Sequence, residues 1–237
     1  MKKILKKTIV AILLTLAAFT AFACSSTSTS DPNVSTSEST QSTTQTEITQ
    51  AKEAYSELCF ASLYCEDATS AIYSAWRYSI YTAENDKTAM YSSGSRDEWD
   101  EFLLNRFYYS TEKMNNMNRL RQAIENFTAS SDGAVWAIAL CNPSYSVAIA
   151  KEYNKLSGVL TFAKEGLNNA SSIIKELSNE NKQSTHKDEL ADLYVAINNL
   201  YELAENPSGS YNTYGTNISN LKTDINNKIE RLKLYLS

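Results

Sequence analysis

The chain has 237 residues, with 22 basic against 27 acidic side chains, six Gly, three Pro, four Cys and one His. One His excludes multi-His metal sites and leaves any His-based catalytic constellation resting on a single residue. So few Gly and Pro argue against an all-β sandwich or barrel, which needs a turn signal about every 8–12 residues, while abundant Ala, Leu, Asn, Glu and Lys read as helix.

The N-terminus carries Lys2, Lys3, Lys6 and Lys7, then an apolar run from Ile9 to Ala23. That run is shorter than the roughly 20 residues a membrane span needs, and has the layout of a secretory signal. It ends Ala21-Phe22-Ala23-Cys24. This ending resembles the lipobox of bacterial lipoproteins, with Ala21 and Phe22 where the usual box has Leu and a small residue. The resemblance implies lipidation at Cys24, an N-terminal lipid as membrane partner, and an extracytoplasmic place in the cell envelope. Ala21-x-Ala23 also fits ordinary signal peptidase cleavage, which would give a secreted protein.

From Ser25 to Thr46, 15 of 22 residues are Ser or Thr. Such a segment buries too little to offset chain entropy and is expected to be a disordered tether, with a mean reach of about 26 Å. The expected organisation is therefore signal peptide 1–23, lipidated Cys and tether 24–46, and a helical domain 47–237. Removing residues 1–23 leaves 18 basic and 27 acidic side chains, a balance of −9. That balance, without a basic cluster, excludes nucleic acid as a partner.

The spacing then predicts helices in sequence. The first spans 47–83, with an inward stripe of Ile48, Ala51, Tyr55, Leu58, Ser62, Cys65, Thr69, Ile72, Trp76 and Ile80. A polar loop from Asn85 to Gly94 ends it. Ser95 and Glu98 form a capping box for a second helix carrying Trp99, Leu103, Phe107, Ser110, Met114, Met117, Leu120, Ile124 and Phe127. Ala134–Cys141 is a short apolar run. Asn142-Pro143 reads as an N-cap and first turn for a third helix, with Ile149, Tyr153, Leu156, Leu160, Ala163, Leu167, Ala170, Ile174 and Leu177 inward. A fourth starts at the Thr185/Asp188 capping box and a fifth follows Pro207-Ser208-Gly209. Short connections between amphipathic helices predict an all-α, up-and-down antiparallel bundle of four to five long helices. The lengths do not match, so either helix number differs between the ends or a long helix breaks.

The candidate chemistry is thin. His186 lies near Asp188, Glu189 and Asp192, but a solvated first turn explains this acidic group. Cys59, Cys65 and Cys141 match no zinc spacing and read as small buried hydrophobes, although either of the first two could meet Cys141. No catalytic residue, metal site or cofactor is predicted, and no phosphate loop, nucleophile elbow or Gly-rich fingerprint occurs. Ser62, Thr69 and Ser110 stand at inward positions, where they would line a small polar cavity or make close helix contacts. Ten of the 25 aromatic residues fall between Tyr73 and Tyr109. An up-and-down path puts them at the end far from the tether, where Tyr81, Tyr91, Trp99 and Tyr108 would form a recognition surface for a protein or glycan. The same path returns Ala134–Cys141 to the tether end and places the turn near Ser184 far from it. The expected function is a non-enzymatic binding or interaction module. A small-ligand-binding, sensor-like bundle is the alternative and an enzyme the third reading.

Overall fold

Alanines set the architecture. In the computed structural model, which describes residues 37–93, 96–179 and 185–236, the first helix is α1, Ser37–Tyr81, 45 residues and about 68 Å long. Along it Ala51, Leu58, Cys65 and Ile72 recur every seven residues, and so do Ala54, Ala61, Ala68 and Ala75; all eight are fully buried. This is a heptad seam whose d-like positions are all alanine, so neighbouring helices approach the α1 backbone closely. Its start is a correction to the tether boundary: residues 37–46, expected to be disordered, are helical. Once a helix is nucleated, adding polar residues costs only the propagation step. Cys24 and the signal segment lie outside the described residues.

Taking the direction of α1 as upward, the strand of chain packed on the alanine seam runs down. It comprises α6, Pro143–Ser157, and α7, Val159–Asn179. Asn142 caps α6 by accepting from the amides of Ser144 (3.0 Å) and Tyr145 (3.3 Å). Buried Ser146 donates to the Ala75 carbonyl at 2.8 Å, and buried Asn154 donates to the Ala68 carbonyl at 3.0 Å. Gly158, at φ 78°, ends α6 in the left-handed region and breaks a helix expected to be continuous. Lower down, a Cβ on Gly166 would sit 3.0 Å from the Glu57 carbonyl oxygen, so only Gly fits without displacing its neighbour.

The lower bundle is completed by α8, Thr185–Glu205, running up, and α9, Tyr211–Leu236, running down. They pack on each other, α8 packs on α7, and Lys222–Glu66 (3.0 Å) ties α9 to α1. Leu58, Leu167, Leu193, Ile197, Ile225 and Leu232 belong to this lower core.

The upper half is built differently. After Thr82 come α2, Ala83–Ser93, and α3, Arg96–Ser110. The stretch expected to be a polar loop is thus largely helical, with Glu84 and Asp86 complementing the first turn of α2. The second predicted helix is broken into α3 and α4, Met117–Thr128. Thr111 bonds back to the Phe107 carbonyl, Asn116 caps α4, and the Tyr153 hydroxyl accepts from the amides of Asn115 (2.9 Å) and Asn116 (3.2 Å). Local polar side chains thereby replace the helical ladder at the break. Lys113–Asp67 (2.9 Å) pins this turn at mid-height on α1.

Because α3 descends and α4 climbs back, α5, Gly133–Leu140, lies at the upper end. Its Trp136, Ala137 and Leu140 share a core with Tyr78, Leu103, Phe107 and Ile149. This overturns the placement of Ala134–Cys141 at the tether end. Leu177 near the end of α7 and Leu190 near the start of α8 share the lower core with Ala51, so these two helix ends lie at the tether end; Ser184 itself is outside the described residues. The extra hairpin reverses the expected order. The described residues form an all-α fold, with nine helices and no strand among them. No single described helix is long and apolar enough to cross a membrane.

Candidate functional site

Residues 73, 77 and 81 follow one another at intervals of four, so one face of upper α1 carries Tyr73, Arg77 and Tyr81. The start of α9 meets this face. The Tyr211 ring stacks on Tyr73 at 4.7 Å and 11°, and its hydroxyl donates to the Tyr73 hydroxyl at 2.7 Å. Gly215, one turn on, makes room for Tyr73, since a Cβ there would lie 2.8 Å from the Tyr73 ring. Tyr81 stands edge-on to Tyr211 at 5.9 Å and remains 63% exposed. Burial, then the bond to Tyr73, pushes the Tyr211 phenol up to about 12, so the Tyr211 hydroxyl keeps its proton at neutral pH and can donate.

Beside these rings a groove of about 440 Å³ is lined by Arg77, Tyr78, Tyr81, Thr82 and Ser110. Its floor is rigid. The buried Tyr78 hydroxyl donates to Asp86 at 2.9 Å, and Arg106 Nε donates to the same carboxylate oxygen at 3.3 Å. Burial, reinforced by the Asp86 charge, holds the Tyr78 phenol far above its ordinary range. A two-helix corner, α2 against α3, is thus latched by one buried acid.

The expected recognition residues divide. Tyr81 is exposed as anticipated. Tyr108 is a correction, because it is half-buried against the upper core, while its neighbour Tyr109 is 81% exposed. The side chains of Tyr91 and Trp99 lie outside the described residues. The upper end also exposes Val135 and Ile138 of α5, while Trp136 is buried and donates to the Ser130 carbonyl at 2.8 Å.

The expected polar cavity is not assembled by its three residues. Ser62 is buried near the middle of α1, and Thr69 bonds back to the carbonyls of Cys65 (2.8 Å) and Glu66 (3.2 Å). Ser110 lines the upper groove, whose Arg77 is about 22 Å along α1 from Ser62. The close-contact reading fits Thr69, whose hydroxyl bonds back to the preceding turn.

A wider groove of about 770 Å³ lies beside the junction of α6 and α7, lined by half-buried Leu160, Lys151, Lys155, Lys164, Glu205 and Tyr201 among others. Lys164 sits 5.9 Å over the Tyr201 ring. The thiols of Cys59, Cys65 and Cys141 are all free, and burial raises each, Cys65 to about 12. Raised thiols are poor nucleophiles. Glu189 is engaged by Arg231 of α9. Among the described residues no group of three or more His, Cys, Asp or Glu is arranged to hold a metal ion.

Sequence reasoning missed Arg77, Asp86 and Tyr211. The four-residue spacing of Tyr73, Arg77 and Tyr81 was legible; the arrival of Tyr211 from 130 residues downstream was not. The described residues form an all-α bundle whose upper end carries the stacked Tyr73–Tyr211 pair and the exposed Tyr81. No protein-family model, curated protein or solved structure matches the chain.

Proposed function

We propose that this protein is a non-enzymatic recognition module, held in the cell envelope by a lipid on Cys24, whose working surface is the tyrosine-bearing upper end. The observation that carries the reading is Tyr81, well exposed yet held at the end of a 45-residue helix by the stacked and bonded Tyr73–Tyr211 pair. Rings fixed in this way add contact area while losing little side-chain freedom on binding. The charged start, the Ala21-Phe22-Ala23-Cys24 ending and the Ser/Thr-rich segment support the anchor. The small-ligand alternative is favoured by the groove beside the α6–α7 junction, whose size falls among ligand sites.

The experiment places benzoylphenylalanine, a photo-crosslinking amino acid that keeps an aromatic ring, at position 81 or at position 234, where Leu234 is 79% exposed on the opposite end. Irradiation of intact cells should give a discrete adduct from position 81 and none from 234. Adducts from both, or from neither, remove the assignment of this end. In the same cells Cys24→Ala should move the protein from the membrane to the soluble fraction. An unchanged distribution removes the lipid anchor.

A further inference from the structure

Resting on that reading of the upper end, we propose that Arg77 and Tyr81 form a subsite for a carboxylated sugar of an acidic glycan. Three features of the groove converge on this chemistry. First, Arg77 has no carboxylate partner among the described residues, whereas Arg106, Lys113 and Lys222 nearby are engaged by Asp86, Asp67 and Glu66. In a chain with more acidic than basic side chains, an unpaired exposed guanidinium offers a planar fork for an incoming carboxylate. Second, the side-chain hydroxyls of Thr82 and Ser110 line the same groove, and neither bonds to another described residue. They remain free to donate and to accept. Third, Tyr81 touches Tyr211 edge-on and presents the rest of its ring outward, a flat apolar face beside a polar groove.

A uronic or sialic acid ring carries all three complements on one rigid unit. Its C–H face lies on Tyr81, its ring hydroxyls reach Thr82 and Ser110, and its carboxylate pairs with Arg77. An acidic peptide side chain satisfies Arg77 but has no rigid ring to cover Tyr81 and meet both hydroxyls together. The groove's 440 Å³ lies within the range of small-ligand sites, and a standard protein interface needs about 800 Å² from each partner. The Tyr78–Asp86–Arg106 latch keeps the floor of the groove in place, so little ordering is required on binding.

The test uses the full chain purified in detergent, with binding followed by calorimetry. The probes are tetragalacturonate, sialyllactose, their neutral methyl esters and a hexaglutamate peptide. At least one of the two acidic sugars should bind, and its ester should bind about tenfold or more weakly, the loss of one charge-assisted contact. In Arg77→Gln the acid should fall to the affinity of its ester. In Tyr81→Ser acid and ester should weaken together, with circular dichroism confirming that both variants remain helical. Both variants alter exposed side chains, which keeps the fold intact. The proposal is overturned if neither sugar binds, if acid and ester bind alike, if Arg77→Gln leaves the acid unaffected, or if hexaglutamate binds as tightly as the sugars. A discrete adduct at position 81 alongside any of these results removes only the sugar assignment. Absence of that adduct removes the recognition reading itself.

Discussion

Asp86 is a carboxylate where the pattern of the sequence places a solvated loop, yet it is almost wholly buried beneath Tyr78 and Arg106. Such a group is tolerated only because a phenol and a guanidinium satisfy it. Removing it leaves the Tyr78 hydroxyl buried without an acceptor. Asp86→Ala should therefore cost about 1–3 kcal/mol, and Asp86→Asn less, since the amide oxygen still accepts from Tyr78. Urea unfolding of the two variants measures this; equal and negligible losses would show that the latch does not hold the α2–α3 corner. Glycine 158 shows the same dependence on context. Its positive φ ends α6, and the larger groove lies beside the junction with α7 that follows.

At the level of the helix, α1 is read wrongly if only large apolar residues are taken as core. The expected stripe through Ile48, Tyr55, Trp76 and Ile80 includes residues that stay partly exposed, while Ala54, Ala61, Ala68 and Ala75 are fully buried. Alanine is common on any helix, so its burial is not legible from its own identity. The seven-residue recurrence was visible but carried no weight without a partner. That partner is the descending rod, whose Gly166, Asn154 and Ser146 sit against the seam. Ala61→Leu should accordingly destabilise by about 1–3 kcal/mol or more through overpacking, whereas Leu63→Ala, at an exposed site two residues away, should change stability by less than about 0.5 kcal/mol. Thermal melts of both variants decide the point, and a harmless Ala61→Leu would mean the helices are not in close contact. Helices α8 and α9 were more legible: Leu190, Leu193, Ile197 and Leu200, and likewise Tyr214, Ile225 and Leu232, recur at helical spacing and are buried. These helices use large residues on one face, and the hydrophobic period then reports burial directly.

Across the whole molecule, one helix belongs to two cores. Ala51, Leu58 and Cys65 serve the lower bundle, and Ala71, Ile72, Ala75 and Tyr78 the upper one. Because α1 cannot unfold in one half while remaining packed in the other without fraying its own ladder, the two halves should unfold together. Leu104→Ala in the upper core and Ile197→Ala in the lower should each lower stability by about 2–5 kcal/mol within a single denaturant transition. Two separated transitions, each sensitive to one variant, would show that the cores are independent. The sequence by itself determined that the chain is helical, where most helices run and which end of α1 carries tyrosines. Period, capping residues and composition act locally, and short-range rules read them. Only the tertiary structure decided that α3 and α4 form a hairpin, that α5 lies at the upper end, and that Tyr211 braces Tyr73 and Tyr81. The first two depend on a turn held by side chains distant in sequence, Tyr153 and Asp67 at the α3–α4 break, and the third on a ring arriving from another helix. A helical period has no means of marking where such a partner arrives.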